Sequence, residues 1–170
     1  TAWALKGLID ELGTDDEGIL HQTTGLDKEQ IKRLKHAIEL PPDYQMYIDE
    51  GVIPLNFFWE LKKNVIDPLA KRRPALWAEY EDDKLIEAFV NKRLASTLTD
   101  TVSLRKVTPI IRVASEEAGG PEEQTELDDT LRALIDDVDM TIDEAYEESV
   151  EVIVEVDKLE TKAKRFAKSF

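Results

Sequence analysis

Two helix-start signals stand one short helix apart with a glycine between them, and this pairing constrains the fold more than any other feature. Thr14 with Glu17 three residues on has the form of a capping box, and Asp27 with Gln30 repeats it. About two helical turns separate them, followed by Thr24-Gly25-Leu26, where glycine can take the left-handed conformation that ends a helix. A short helix, a tight turn and a second capped helix predict a helix-turn-helix at about 14–40. That motif places its second helix in the DNA major groove.

The second helix divides into faces. Ile31, Leu34 and Ile38 share one buried stripe at helical spacing. Lys28, Lys32, Lys35 and His36 fall on the other side, with Arg33 at its margin and Glu29 the one acid among them. Lys and Arg neutralise phosphates and donate to base edges, so such a face suits DNA. The plainer alternative is a solvated helix face that is basic by chance. On the DNA reading, Lys28 and Gln30 near the helix start face bases. Lys32, Arg33, Lys35 and His36 then hold phosphates, as do backbone N–H groups at 14–17. Gln22, Thr23 and Thr24 lie near the DNA backbone.

Leu12-Gly13-Thr14, Gly25 with its capped helix, Leu40-Pro41, Tyr44-Gln45 and Glu50-Gly51-Val52-Ile53 occur in that order. Together they resemble the central DNA-binding region of ParB-type partition proteins, over roughly residues 4–61. Asp27 stands where that family's capping serine would be. The chain departs from the family pattern at His21, where a small residue is usual, and at Leu26, where a basic one is usual; Glu29 adds an acid. The family's N-terminal domain with its CTP-binding motifs has no counterpart here. The resemblance implies double-stranded DNA as partner, a role in plasmid or chromosome partition or in transcription regulation, and dimerisation through C-terminal helices. A chain opening at Thr1 without methionine is expected to be part of a longer protein.

Charge is the main objection to DNA binding, so its distribution matters. The chain of 170 residues carries a formal net charge of −15. Residues 1–50 hold 5 Lys/Arg against 11 Asp/Glu, residues 51–112 hold 11 against 8, and residues 113–170 hold 6 against 18. The acid is concentrated in the last third. Charges more than about 10 Å apart are largely screened at physiological salt, so a basic face and a distant acidic segment can coexist. With no cysteine there are no disulfides or thiolate metal sites. No apolar run approaches the roughly 20 residues needed to cross a bilayer. A cytoplasmic, nucleoid-associated protein is the expectation.

Nearly every segment reads as helix, so the expected class is all-α: a multi-helical helix-turn-helix domain with a C-terminal helical appendage. The organisation expected is a DNA-binding domain at 1–115, an acidic linker at 116–126 around Gly119-Gly120-Pro121, and the appendage at 127–170. Helices are predicted at 2–12, at 43–50, from Pro54 to the basic turn Lys71-Arg72-Arg73, at 75–94 and at 103–118, where Pro109 bends or restarts the chain. Lys71-Arg72-Arg73, Lys92-Arg93 and Arg105-Lys106 fit helix-end charge compensation taken singly, and phosphate contacts if they share a side with Lys32. Thr141 with Glu144 has the form of another cap. Val150, Val152, Val154 and Val156 alternate as in a strand, but helical flanks favour a helix from about 142 to 168. Its seam would run from Ile142, Tyr146, Val150 and Ile153 to Val156, Leu159, Ala163 and Phe166.

Enzymatic chemistry finds no support: there is no phosphate-binding glycine loop, nucleophile elbow or His-Glu-x-x-His motif. His21 and His36 lack companion ligands at metal spacing, and polar or DNA contacts suit them better. Asp137 to Glu148 follows an EF-hand loop superficially, but Ile142 stands where the sharp turn needs glycine. Neither cofactor nor metal is expected. The alternative to DNA binding is an acidic helical protein–protein interaction module without direct DNA contact.

Overall fold

The computed structural model describes residues 2–115 and 120–154. Among them the chain is all-α, with no strand. It divides into two compact units, Thr1–Trp59 and Glu60–Phe170.

The first unit opens with α1 (Ala2–Leu12), α2 (Glu17–Thr24), α3 (Lys28–Glu39) and α4 (Pro42–Asp49). Leu5, Leu20 and Ile31 are buried together, one from each of the first three helices, and Leu8, Ile9, Leu26, Leu34 and Ile38 pack on them. The Ile31/Leu34/Ile38 stripe is therefore the inner face of α3. Gly25 adopts φ +75 and its N–H bonds His21 O, which ends α2 in the left-handed conformation. Asp27 and Gln30 form the reciprocal box: Gln30 N donates to Asp27 Oδ1 at 2.8 Å and Asp27 N donates to Gln30 Oε1 at 3.2 Å.

The first box forms differently. Asp16, not Thr14, caps α2, accepting from Ile19 N at 3.0 Å, while Thr14 Oγ1 accepts from Asp16 N at 3.2 Å. The helix begins one residue after Asp16, so Asp16 holds the capping position and Glu17 sits inside the first turn. The far end of α3 is closed by Gln45, whose Nε2 donates to Ile38 O and Leu40 O at 2.8 and 2.7 Å. These are carbonyls that a helix C-terminus leaves without intrahelical partners. Trp3 Nε1 donates to Asp49, tying α1 to α4.

α5 (Leu55–Leu61) runs through the division between the units. It passes without interruption into a π-helical turn, Lys62–Ile66, and then α6 (Asp67–Arg72). Pro68 follows closely on the π-turn. In an α-helix residue 68 would donate to Asn64 O, and proline has no N–H. Thr108 Oγ1 supplies the missing donor at 2.7 Å, and Asn64 Nδ2 in turn bonds Glu60 O at 3.0 Å.

α7 (Pro74–Leu94) breaks at Glu81, which has φ 60 and ψ 175. That region is nearly exclusive to glycine, so the helix expected to run unbroken is two segments. A 3-10 turn (Thr101–Lys106), capped by Asp100 through Val102 N, leads into α8 (Val107–Ser115), with Pro109 in its first turn. α9 (Gly120–Asp136) follows, and α10 covers 142–154, capped by the Thr141–Glu144 pair.

The expected linker and appendage take a different form. Residues 120–126 are helical, and the unit boundary lies at 59/60 rather than at 116–126. α9 contributes Leu127, Leu131 and Leu134 to the buried interior, and Arg73 pairs with Asp128. α10 buries Ile142, Ala145, Ser149 and Ile153, so the first half of the expected seam packs inside its own unit. Helical structure over 142–154 decides against the strand alternative there. Residues 116–119 of the linker, and Val156, Leu159, Ala163 and Phe166 of the seam, lie outside the described residues.

Tyr80 gives this packing a pH signature. Burial, together with a hydrogen bond to Asp136, pushes its hydroxyl up to about 12 from 10.0. A raised folded-state value means stability is fully present below pH 10 and is lost as pH climbs toward 12. In an ultraviolet titration, one of the four tyrosines is expected to ionise near 12. Four tyrosines titrating together near 10 would refute the α7–α9 contact.

Candidate nucleic-acid interface

The outer face of α3 and the end of α2 carry the nine residues singled out for DNA. Gln22 and Thr23 are exposed on α2, and Thr23 Oγ1 donates to Ile19 O at 2.9 Å. Thr24 is half-buried and occupied: its hydroxyl donates to Leu20 O at 2.6 Å and accepts from Leu26 N at 3.2 Å. It builds the turn and presents little to a ligand. Lys28, Gln30 and Lys32 are exposed on α3. The Gln30 amide oxygen accepts within the capping box, so its NH2 group is the part left to donate outward.

The remaining cations are held closer. Arg33 lies 3.3 Å from Glu29 one turn away. Lys35, with only 22% of its side chain exposed, donates to Asp15 O at 3.1 Å and pairs with the Asp15 carboxylate at 3.7 Å. Lys32 stands 3.9 Å from Glu17. His36 is half-buried, its ring 6.2 Å from that of Trp59, which sets it in the packing of the first unit rather than on the reading surface. Among the described residues Lys28 has no carboxylate within ion-pair distance. The structure thus leaves Lys28, Gln30 and Lys32 exposed and Arg33 half-buried, holds Lys35 against Asp15, and sets Thr24 and His36 into local packing.

Asp15, Glu17 and Glu29 are the residues that sequence reasoning missed as partners of this face. Only Glu29 carried a signal, its i,i+4 spacing to Arg33. Exposed pairs of this kind contribute about 0.2–1 kcal/mol each, so they bias α3 without locking it. The N-terminus of α2, expected to offer N–H groups to phosphate, is instead capped by Asp16 between two further acids. A carboxylate already fills the position a phosphate oxygen would take.

His21 is exposed, but its ring is engaged within the turn. Its Nδ1 meets Leu26 O at 2.5 Å across the Gly25 turn, with the imidazole donating. Among the described residues no group of three or more His, Asp or Glu side chains is arranged to hold a metal ion. No helix among them is long and apolar enough to cross a membrane.

The other basic clusters belong to the second unit and are largely engaged there. Arg73 pairs with Asp128, Arg105 with the buried Glu60 at 3.1 Å, and Lys106 with Asp143 at 2.6 Å. The Arg105 guanidinium, hydrogen-bonded to Glu60, holds that carboxyl below its usual range. Arg93 donates to Thr99 O at 2.6 Å, and Lys92 is fully buried. These contacts fit helix-end and core roles. Family models, curated proteins and solved structures were compared with the chain, and none matches.

Proposed function

We propose that the first unit is a helix-turn-helix DNA-binding domain of the ParB-like partition or regulatory type, with α3 entering the major groove of double-stranded DNA. One observation carries this reading. The Gly25 turn and the Asp27–Gln30 box fix α3 on the Leu5/Leu20/Ile31 core with Ile31 buried, Leu34 and Ile38 half-buried against it, and Lys28, Gln30 and Lys32 in solvent. Lys28 and Gln30 sit in the first turn of α3, the end that meets base edges in such motifs. Lys32 and Arg33 then contact phosphates, as does Lys35 once released from Asp15, with Gln22 and Thr23 beside the DNA backbone.

A second reading draws on a specific observation. Asp15, Glu17 and Glu29 sit on three of the four α3 cations, which suits an acidic module that binds a protein partner and not DNA. Salt separates the two. If α3 binds phosphates, affinity for genomic duplex DNA in a retardation assay falls linearly, in log–log form, as salt rises. Absence of any retarded complex at low salt would favour the interaction module.

A further inference from the structure

Three carboxylates on the first unit have no capping task yet face the α3 cations. Asp15 and Glu17 flank the capping Asp16, and Glu29 lies two residues past the capping Asp27. Their side chains remain 76%, 32% and 56% exposed. Each reaches a cation: Asp15 takes Lys35, Glu17 takes Lys32, and Glu29 takes Arg33.

Resting on the DNA-binding reading, we propose that Asp15, Glu17 and Glu29 are specificity-determining residues that suppress sequence-independent binding by occupying the phosphate-contacting side chains. Non-specific affinity arises essentially from cations replacing the counterions condensed on the duplex. A phosphate that takes Lys32, Arg33 or Lys35 must first displace a carboxylate, which then recruits solution cations. The net release of ions shrinks, and the non-specific complex weakens. Lys28 and the Gln30 amide are not covered in this way, so their contacts to base edges keep their full strength. Lowering the background while leaving base contacts intact raises the ratio of specific to non-specific binding, which is what a genome full of competing sites demands.

The experiment compares the full chain with two variants of equal net charge. D15N/E17Q/E29Q removes the three carboxylates and leaves the Asp16 and Asp27 caps untouched. D10N/E11Q/E50Q removes three exposed acids, none of which pairs with an α3 cation among the described residues. Binding to a random-sequence duplex is read by fluorescence anisotropy from about 50 to about 200 mM salt, the range over which phosphate contacts weaken most visibly. Each exposed pair shifts an equilibrium by about two- to threefold, so the first variant is expected to bind random duplex about tenfold more tightly. Its log–log salt slope should steepen by about two to three, because each phosphate contact contributes about 0.9 to that slope. The second variant should change far less. An equal gain in both variants would reduce the effect to overall charge and overturn the proposal. No gain in the first variant while the parent chain binds DNA would overturn it and leave DNA binding standing. No binding by any of the three at the lowest salt would overturn this proposal together with the DNA-binding reading it rests on.

Discussion

Replacing Lys92 with alanine is expected to destabilise the chain by about 3–5 kcal/mol, well above the roughly 1 kcal/mol that an exposed charge contributes at most. Lys92 is completely buried, and its Nζ donates to Asp137 O and Met140 O, both at 2.6 Å. Asp137 follows the last residue of α9, so the ammonium sits where a helix leaves carbonyls without partners and where its dipole favours positive charge. Nearby, Thr97 Oγ1 donates to Val138 O at 2.8 Å. Alanine would leave two buried carbonyls unpaired and a cavity the length of the lysine stem. The melting temperature should drop by on the order of 10–20 °C, read by circular dichroism. Lys92→Met separates the causes, because it fills the volume but donates nothing. A methionine variant as stable as the parent would show that the ammonium–carbonyl bonds contribute little. Burial also lowers the Lys92 pKa, opposed by Asp137, Asp139 and Glu144. The charged form is therefore disfavoured on folding, and stability rises as pH climbs from the lowered value toward 10.5.

Lys92 also shows why part of the fold is illegible in the sequence. Lys92-Arg93 near the end of a helix reads as charge compensation for that helix, and Arg93 does bond the carbonyls of the following loop. Nothing local signals that Lys92 turns inward to another helix, since its partners lie 45 and 48 residues away. The same limit applies at the candidate site. The Gly25 turn, the Asp27 box and the α3 stripe depend on neighbours within a few residues, so spacing reveals them. Lys35 and Asp15 are 20 residues apart and follow no periodicity, so their pairing emerges only from the packing of α2 against α3. The π-turn does have a local signal: Pro68 inside a helical stretch, four residues after Asn64. The unit boundary at 59/60 has none, because it falls within α5, where composition does not change. The Gly-Gly-Pro segment reads as a boundary because those residues usually interrupt helices. Gly120 and Pro121 instead open α9, a place where proline is tolerated because a first-turn N–H has no intrahelical acceptor.

Reversing both exposed lysines of α3, as Lys28→Glu with Lys32→Glu, is expected to weaken binding to duplex DNA at least about a hundredfold near 0.1 M salt and to flatten the log–log salt slope by about two. The two residues are one helical turn apart, on the same outward face. Reversal removes two phosphate- or base-directed cations and places two anions against a polyanion. Stability should hold through the change. Glutamate at position 28, in the first turn of α3, is favoured by the helix dipole, which disfavours the lysine it replaces. Glutamate at position 32 faces Glu17 across an exposed gap, a repulsion worth less than about 1 kcal/mol. Loss of binding with an unchanged melting curve therefore reports on the surface and not on unfolding. Unchanged binding would mean that DNA meets another part of the chain, and α3 would then stand as scaffold. That outcome would also remove the ground for a specificity role of Asp15, Glu17 and Glu29, because the cations they hold would no longer be the ones that meet phosphate.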